Sequence, residues 1–275
     1  MDSIPFEFAK QVRILCHSSI SLFEILPSSI WNSFRQLPKQ QLILRVHLRL
    51  SDNHFDTYLT KAAEEHYIPI EEFCANKHDI IKIHVIEGNT IIKLRWIPIV
   101  EAPFAKLYQI LQENLAPVKI HCHVNINETK VVNLLFAVPR IIDLNFGRYP
   151  VDFFRLLEQP TVQSAQFCSL CIDEKMLSAL CRTIHNYNFC VLSFEWEEKS
   201  NIPWDKTIRA LYNSVLSRVL TCRKPNQTWQ IWCSRECPLE AQALEEAPNV
   251  EVDFLDEDFS IVIEVYKGNQ LEMCG

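Results

Sequence analysis

The sequence predicts an α+β or α/β protein, in which a short N-terminal helical module (residues 1–38) precedes an irregular strand-and-helix body (residues 39–275). Three observations predict it. Between residues 4 and about 36, Phe8, Val12, Leu15, Leu22, Phe23 and Leu26 recur at intervals that put apolar side chains on one face of short helices. From residue 42 the pattern changes to period-two alternation with β-branched enrichment. Stretches of helical period then lie between the later strand-like segments.

Each element follows from its local pattern. The first module is punctuated by Pro27 and Pro38, and the boundary falls near residue 40. In Leu42–Leu50, Arg45, His47 and Arg49 alternate with Leu44, Val46, Leu48 and Leu50, the signature of a half-buried strand. Further strands are expected at 80–86, 90–97, 118–126, 131–138, 141–146, 165–172, 189–196, 228–233, 250–255 and 260–266, several of them rich in Val and Ile. Gly88-Asn89 reads as a hairpin turn. Helices are expected around Phe104–Leu115, Met176–Ile184 and Trp204–Val219, with Asp173 as an N-cap and Pro203 as a lead-in. The segments at 141–146, 167–172 and 190–195 recur at the strand-plus-helix spacing of leucine-rich repeats, without their regular Leu and Asn ladder. A leucine-rich-repeat-like body is therefore one form the strand–helix region can take.

Composition narrows the function classes. With 48% hydrophobic residues and only four glycines, the chain supports a large core and no long flexible linker. Net charge is -7, with Glu236, Glu240, Glu245, Glu246, Glu251, Asp253, Asp256, Glu257, Asp258 and Glu264 crowded near the C-terminus. Such a stretch repels phosphate backbones, so no nucleic-acid partner is expected. No basic and apolar leader and no run of about 18 apolar residues is present, which predicts no membrane association and a cytoplasmic or nuclear setting. The eleven cysteines lie singly in apolar segments and read as reduced, largely buried thiols.

Chemical motifs are sparse. Cys168 and Cys171 have metal-ligand or redox spacing, but three residues apart on a strand they face opposite sides. Cys222, Cys233 and Cys237 could join Cys181 or His185 in a metal site only through the fold. His121 and His123 share one side of a strand, suitable for two metal ligands, but a third partner is not identifiable, and solvent-facing alternation accounts for both. Trp229 and Trp232 read as core or rim aromatics. With glycines only at 88, 147, 268 and 275, no glycine-rich nucleotide loop exists, and Gly-x-Ser-x-Gly and His-Glu-x-x-His are absent. No enzymatic activity, cofactor or metal is therefore expected.

The N-terminal residues carry a resemblance. Ile4-Pro5, followed by Glu7 and Phe8, with Val12 one turn on, Leu22 later and Trp31 closing the pattern, resembles a divergent F-box, the helical module that joins substrate receptors to a Skp-family adaptor in cullin-RING ubiquitin ligases. The opener followed by a strand-rich body with many Cys and Trp is also similar to the nematode F-box and F-box-associated families. The resemblance implies adaptor binding by Ile4, Pro5, Phe8, Val12, Leu15, Leu22, Leu26 and Trp31, and recruitment of an unknown protein substrate by the body. About thirty residues of short helix cannot bury their apolar face alone, so they must pack on the body or on a partner. The rival expectations are a self-contained protein-interaction domain with no ubiquitin role, and a thiol- or metal-dependent enzyme.

Overall fold

The computed structural model of the 275-residue chain describes residues 39–49, 54–61, 64–75, 77–88, 97–98, 102–124, 129–147, 154–221, 227–233, 250–255 and 260–265. The expected N-terminal module up to residue 38, residues 90–96 of the expected strand at 90–97, and Asn89 of the expected turn lie outside these residues. The chain divides into two compact units, one up to Thr161 and one from Val162.

In the first unit the strands are β1 (Gln40–Arg49), β2 (His54–Lys61), β3 (Glu64–Pro69), β4 (His78–Glu87), β5 (Ile97–Pro98), β6 (Val118–Cys122) and β7 (Ile141–Phe146). They hydrogen-bond in the order β3-β2-β1-β4-β6-β7, with β5 also on β2. The pairs β1–β2 and β2–β3 are antiparallel; β1–β4, β4–β6 and β6–β7 are parallel. Helices α1 (Ala102–Glu113) and α2 (Thr129–Phe136) connect the parallel strands, and α3 (Phe154–Leu157) follows β7.

Spatial order follows chain order from β4 through β6 to β7, so right-handed crossovers place α1 and α2 on the same side of the sheet. The row Ile83, Val85, Ile120, Cys122, Leu144 and Phe146 is 0% exposed and marks that side. Leu107, Ile110 and Leu111 of α1 are buried, while Lys106, Gln109, Gln112 and Glu113 are exposed, as an amphipathic helix on a sheet requires. Each such aliphatic side chain withdrawn from water contributes about 1.5–3 kcal/mol. The strand expected at 131–138 is instead α2. Its buried Val131, Leu134 and Leu135, with Val138 just beyond, recur at three and four residues, and that period prevails over the Val content.

Two β-bulges set the phase of this sheet. The β1–β4 register shifts between Leu42 and Ile43, making Ile81 the extra residue of β4; the β6–β7 register shifts between Val118 and Lys119, making Ile142 the extra residue of β7. Ile80 and Ile83, three apart, therefore both face the helices, as do Ile141 and Leu144.

Side chains tie the backbone before each bulge. Asn114, 3% exposed, accepts from the Ile80 N–H at 3.0 Å through Oδ1 and donates to the Ile80 carbonyl at 2.9 Å through Nδ2. At β7, Gln159 Oε1 accepts from the Ile141 N–H at 3.3 Å, and Thr161 Oγ1 donates to the Ile141 carbonyl at 2.7 Å.

The second unit contains β8 (Ser164–Leu170), β9 (Val191–Trp196), β10 (Gln227–Cys233), β11 (Val250–Leu255) and β12 (Ser260–Val265), with α4 (Glu174–Ile184) and α5 (Trp204–Thr221) as connections. Its order is β8-β9-β10-β12-β11; β8–β9 and β9–β10 are parallel, and β10–β12 and β11–β12 antiparallel. Asp173 caps α4 as expected, its carboxylate accepting from the Met176 N–H at 2.7 Å. Pro203 precedes α5, also as expected. Arg218 of α5, 2% exposed, donates to the carbonyls of Ile184, at 2.7 Å, and Asn186, a cation on the open C-terminal end of α4.

The expected fold class is corrected by this topology. Where the sequence suggested a helical N-terminal module before an irregular, leucine-rich-repeat-like body, the described residues form regular hydrogen-bonded ladders of mixed direction. A leucine-rich-repeat stack sets one strand per repeat in a uniform parallel series. Here β1–β3 and β10–β12 are antiparallel groups of strands six to ten residues long. Among the described residues no helix is long and apolar enough to cross a membrane.

Candidate functional site

The side of the first unit's sheet that faces away from α1 and α2 carries polar side chains, and the two bulges bring them into register. Arg45 pairs with His84, and His84 with His121, across β1, β4 and β6. His121 in turn pairs with Asn145 of β7. One step along the strands, Lys82, Lys119 and Asp143 form a second row, and His123 extends the β6 column. Neighbouring strands lie about 4.8 Å apart, so these groups interact directly.

Hydrogen bonding fixes their protonation. Arg45 Nη1 lies 3.0 Å from His84 Nδ1. A guanidinium can only donate, so Nδ1 accepts and the neutral ring carries its proton on Nε2. Nε2 is buried and has no hydrogen-bond acceptor among the described residues. The His84 and His121 rings stack with centroids 5.2 Å apart and planes inclined by 19°. Asp143 Oδ2 stands 3.9 Å from His121 Nε2.

The electrostatics are those of crowded cations. Burial, then the charges of Lys82, Arg45 and the neighbouring imidazoles, pushes the His84 pKa down to about 4, so its ring is neutral at pH 7. His121 is lowered by burial and by Lys82, against the opposing pull of Asp143. Lys82 is lowered by burial, by Lys119 and by Arg45, against the opposing pull of Asp143. Lys119 and His123 are exposed, and among the described residues neither Lys82 nor Lys119 has an ion-pair partner. Clusters that disfavour their own charge are candidate binding sites, because an incoming opposite charge relieves them.

Beside this cluster, His47 of β1 is 2% exposed, stacked on Tyr58 at 5.4 Å with Nε2 3.2 Å from the Tyr58 hydroxyl. A close backbone approach lies at one flank. Gly147 approaches the backbone after β6 so closely that a Cβ would stand 3.2 Å from His123 Cα, and its N–H donates to the Cys122 carbonyl at 2.7 Å.

Of the residues singled out from sequence, His121 and His123 lie on the polar side of β6 as expected, and the structure adds His84 and Asp143 beside His121. Among the described residues no group of three His, Cys, Asp or Glu side chains could hold a metal ion. The cysteine expectation is corrected in part. Cys122 is buried, its thiol pushed up to about 12 by desolvation, but Cys168 is exposed and Cys171 half-buried just past the end of β8, its Sγ 3.4 Å from the Lys199 carbonyl. Register is lost between Phe167 and Leu170, so strict alternation does not hold there. Ile4, Pro5, Phe8, Val12, Leu15, Leu22, Leu26 and Trp31, together with Cys222 and Cys237, lie outside the described residues. Strand β10 carries Trp229, Trp232 and Cys233. Sequence reasoning missed the row formed by Arg45, Lys82, His84, Lys119 and Asp143, although alternation in each strand was a partial signal.

Comparison with known proteins gives little likeness. No protein-family profile matches the chain, and no curated protein matches it. Among solved structures it is similar to the MycE methyltransferase from the mycinamycin biosynthetic pathway in complex with Mg and SAH, at 8% identity and a TM-score of 0.27 over 98% of this chain and 94% of that one. The same enzyme with mycinamycin VI also bound is similar at 8% identity and a TM-score of 0.30, over 98% and 95%. The expected absence of enzymatic activity is not maintained, and a likeness of this depth carries no activity to the present chain.

Proposed function

We propose that the chain is the substrate-recruiting subunit of a Skp-cullin-F-box type ubiquitin ligase, working in the cytoplasm or nucleus. Residues 4–36 bind a Skp-family adaptor, and the body from residue 39 holds a protein substrate. The observation that carries this reading is the spacing of Ile4-Pro5, Phe8, Val12, Leu22 and Trp31. The polar sheet side of the first unit supports its second half, because it offers several hydrogen-bond donors from separate strands at one place. Nucleic acid and membranes are not partners in this reading.

A pull-down of the full chain with recombinant adaptor tests it. Wild-type protein retains the adaptor, and the double variant Phe8→Asp, Val12→Asp loses it. Retention by the double variant, or none by wild type, overturns the assignment.

A further inference from the structure

The sheet side bearing Arg45, Lys82, His84, Lys119 and His121 is rich in donors, with the Asp143 carboxylate and Asn145 Oδ1 as acceptors at its β7 edge. Guanidinium and ammonium groups have no acceptor atoms, and neutral His84 presents Nε2–H because Arg45 occupies Nδ1. A buried donor without an acceptor is costly, about 1–3 kcal/mol. Asp143 is the one acid in these rows, and it stands against His121 at the edge of the group. The complementary ligand is therefore acceptor-rich and anionic.

The rest of the chain narrows the choice. Residues 1–161 carry 17 Lys and Arg against 17 Asp and Glu, so this cationic patch sits within a unit of zero net charge. A unit that is neutral as a whole adds no net attraction for a long polyanion such as RNA, whereas a short acidic segment can match the patch without extending past it. The donors come from three adjacent strands, β1, β4 and β6, and so form a line across the sheet about 10 Å long, counting about 4.8 Å between strands. An extended peptide repeats side chains on one face about every 7 Å, which sets two carboxylates against that line.

We propose that the polar sheet side of the first unit binds an extended, Asp/Glu-rich peptide segment of a partner protein, with Arg45, Lys82 and Lys119 as donors to its carboxylates. The proposal rests on the reading of the body as the partner-holding part of the chain, and specifies the chemistry of that partner. Asp143 opposes the ligand and thereby excludes weakly charged peptides.

A fluorescent twelve-residue peptide of alternating Glu and Ala, titrated with the full chain at low salt, tests the assignment in the absence of any adaptor. Loss of adaptor binding thus leaves this result standing, and the reverse also holds. Binding should weaken as salt rises, and Lys119→Glu, at an exposed position, should lower affinity on the order of tenfold. Lys206→Glu, an exposed charge reversal in α5, should leave affinity unchanged. Asp143→Asn should raise affinity about threefold, a gain that misfolding cannot produce. Equal binding by wild type and Lys119→Glu overturns the proposal. So does tighter binding of single-stranded RNA through Lys119, or a dimer that Lys119→Glu dissociates, which would assign the surface to nucleic acid or to a second copy of the chain.

Discussion

The outward rows of the two units differ in charge although both rest on parallel strands. On β4, β6 and β7 the outward positions are Lys82, His84, Lys119, His121, Asp143 and Asn145. On β8 and β9 the corresponding positions are Ser164, Gln166, Cys168, Ser193 and Glu195. Inward positions are alike: Ile83, Ile120 and Leu144 in one unit, Ala165, Phe167 and Phe194 in the other, all 2% exposed or less. Inward residues are constrained by packing and outward ones are free to differ, so the contrast between the two units lies in their outward chemistry alone.

Three measurements can break or sharpen the contrast. The largest effect is expected between inward and outward positions of the same sheet. Leu144→Ala should cost about 2–5 kcal/mol in urea unfolding, through lost transfer energy and a cavity, while Lys119→Ala should change stability by no more than about 0.5 kcal/mol. Equal losses would mean that the outward row is structural. Next is Asn114→Ala, which strips both backbone partners from buried Ile80 and should cost about 1–3 kcal/mol. If instead its unfolding midpoint matched wild type, the Asn114 clamp would have no part in holding β4.

The smallest effect is a pH dependence confined to the polar row. His84 faces Arg45 from β1, Lys82 on its own strand, and Lys119, His121 and His123 on β6, with Asp143 beyond on β7. Its folded pKa, about 4, lies below the ordinary 6.5. Below pH 6.5 the unfolded chain therefore binds more protons than the folded one. The contribution of neutral His84 to stability is complete above pH 6.5 and is lost as pH falls from there towards 4. His84→Gln should flatten that part of the urea-midpoint profile relative to wild type. An unchanged slope would place the titration on other groups.

Much of the inward pattern was legible in the sequence. Leu42, Leu44, Val46 and Leu48 announce β1 by alternation, and Asp173 and Pro203 mark the starts of α4 and α5 where they occur. Strand β2 was not legible, because Asp56, Tyr58 and Thr60 are buried on the side where a two-faced strand would expose polar groups. Val131–Val138 misled through β-branched content, although its spacing was helical. The polar cluster escaped for another reason: alternation says that His84 and His121 each face outward, but their stacking depends on inter-strand register, which no single segment encodes. The doublets Ile80-Ile81 and Ile141-Ile142 were the available hint of irregularity, and nothing local says which member is the inserted one. The residues carrying the F-box resemblance lie outside the described structure, so that part of the site is known only as a pattern.

The inserted isoleucines at 81 and 142 give this sheet two places where a residue can be lost without changing which side chains face the helices. Removing either one would close its bulge and leave the pairing continuous, with Ile80 still opposite Leu42, or Ile141 still opposite Val118, on the inward side. A single-codon deletion elsewhere in β4 or β7 would act as a shift of reading phase in three dimensions, turning part of the strand over. Variation in chain length should therefore be tolerated between the strands and at these two positions, and purged elsewhere within them.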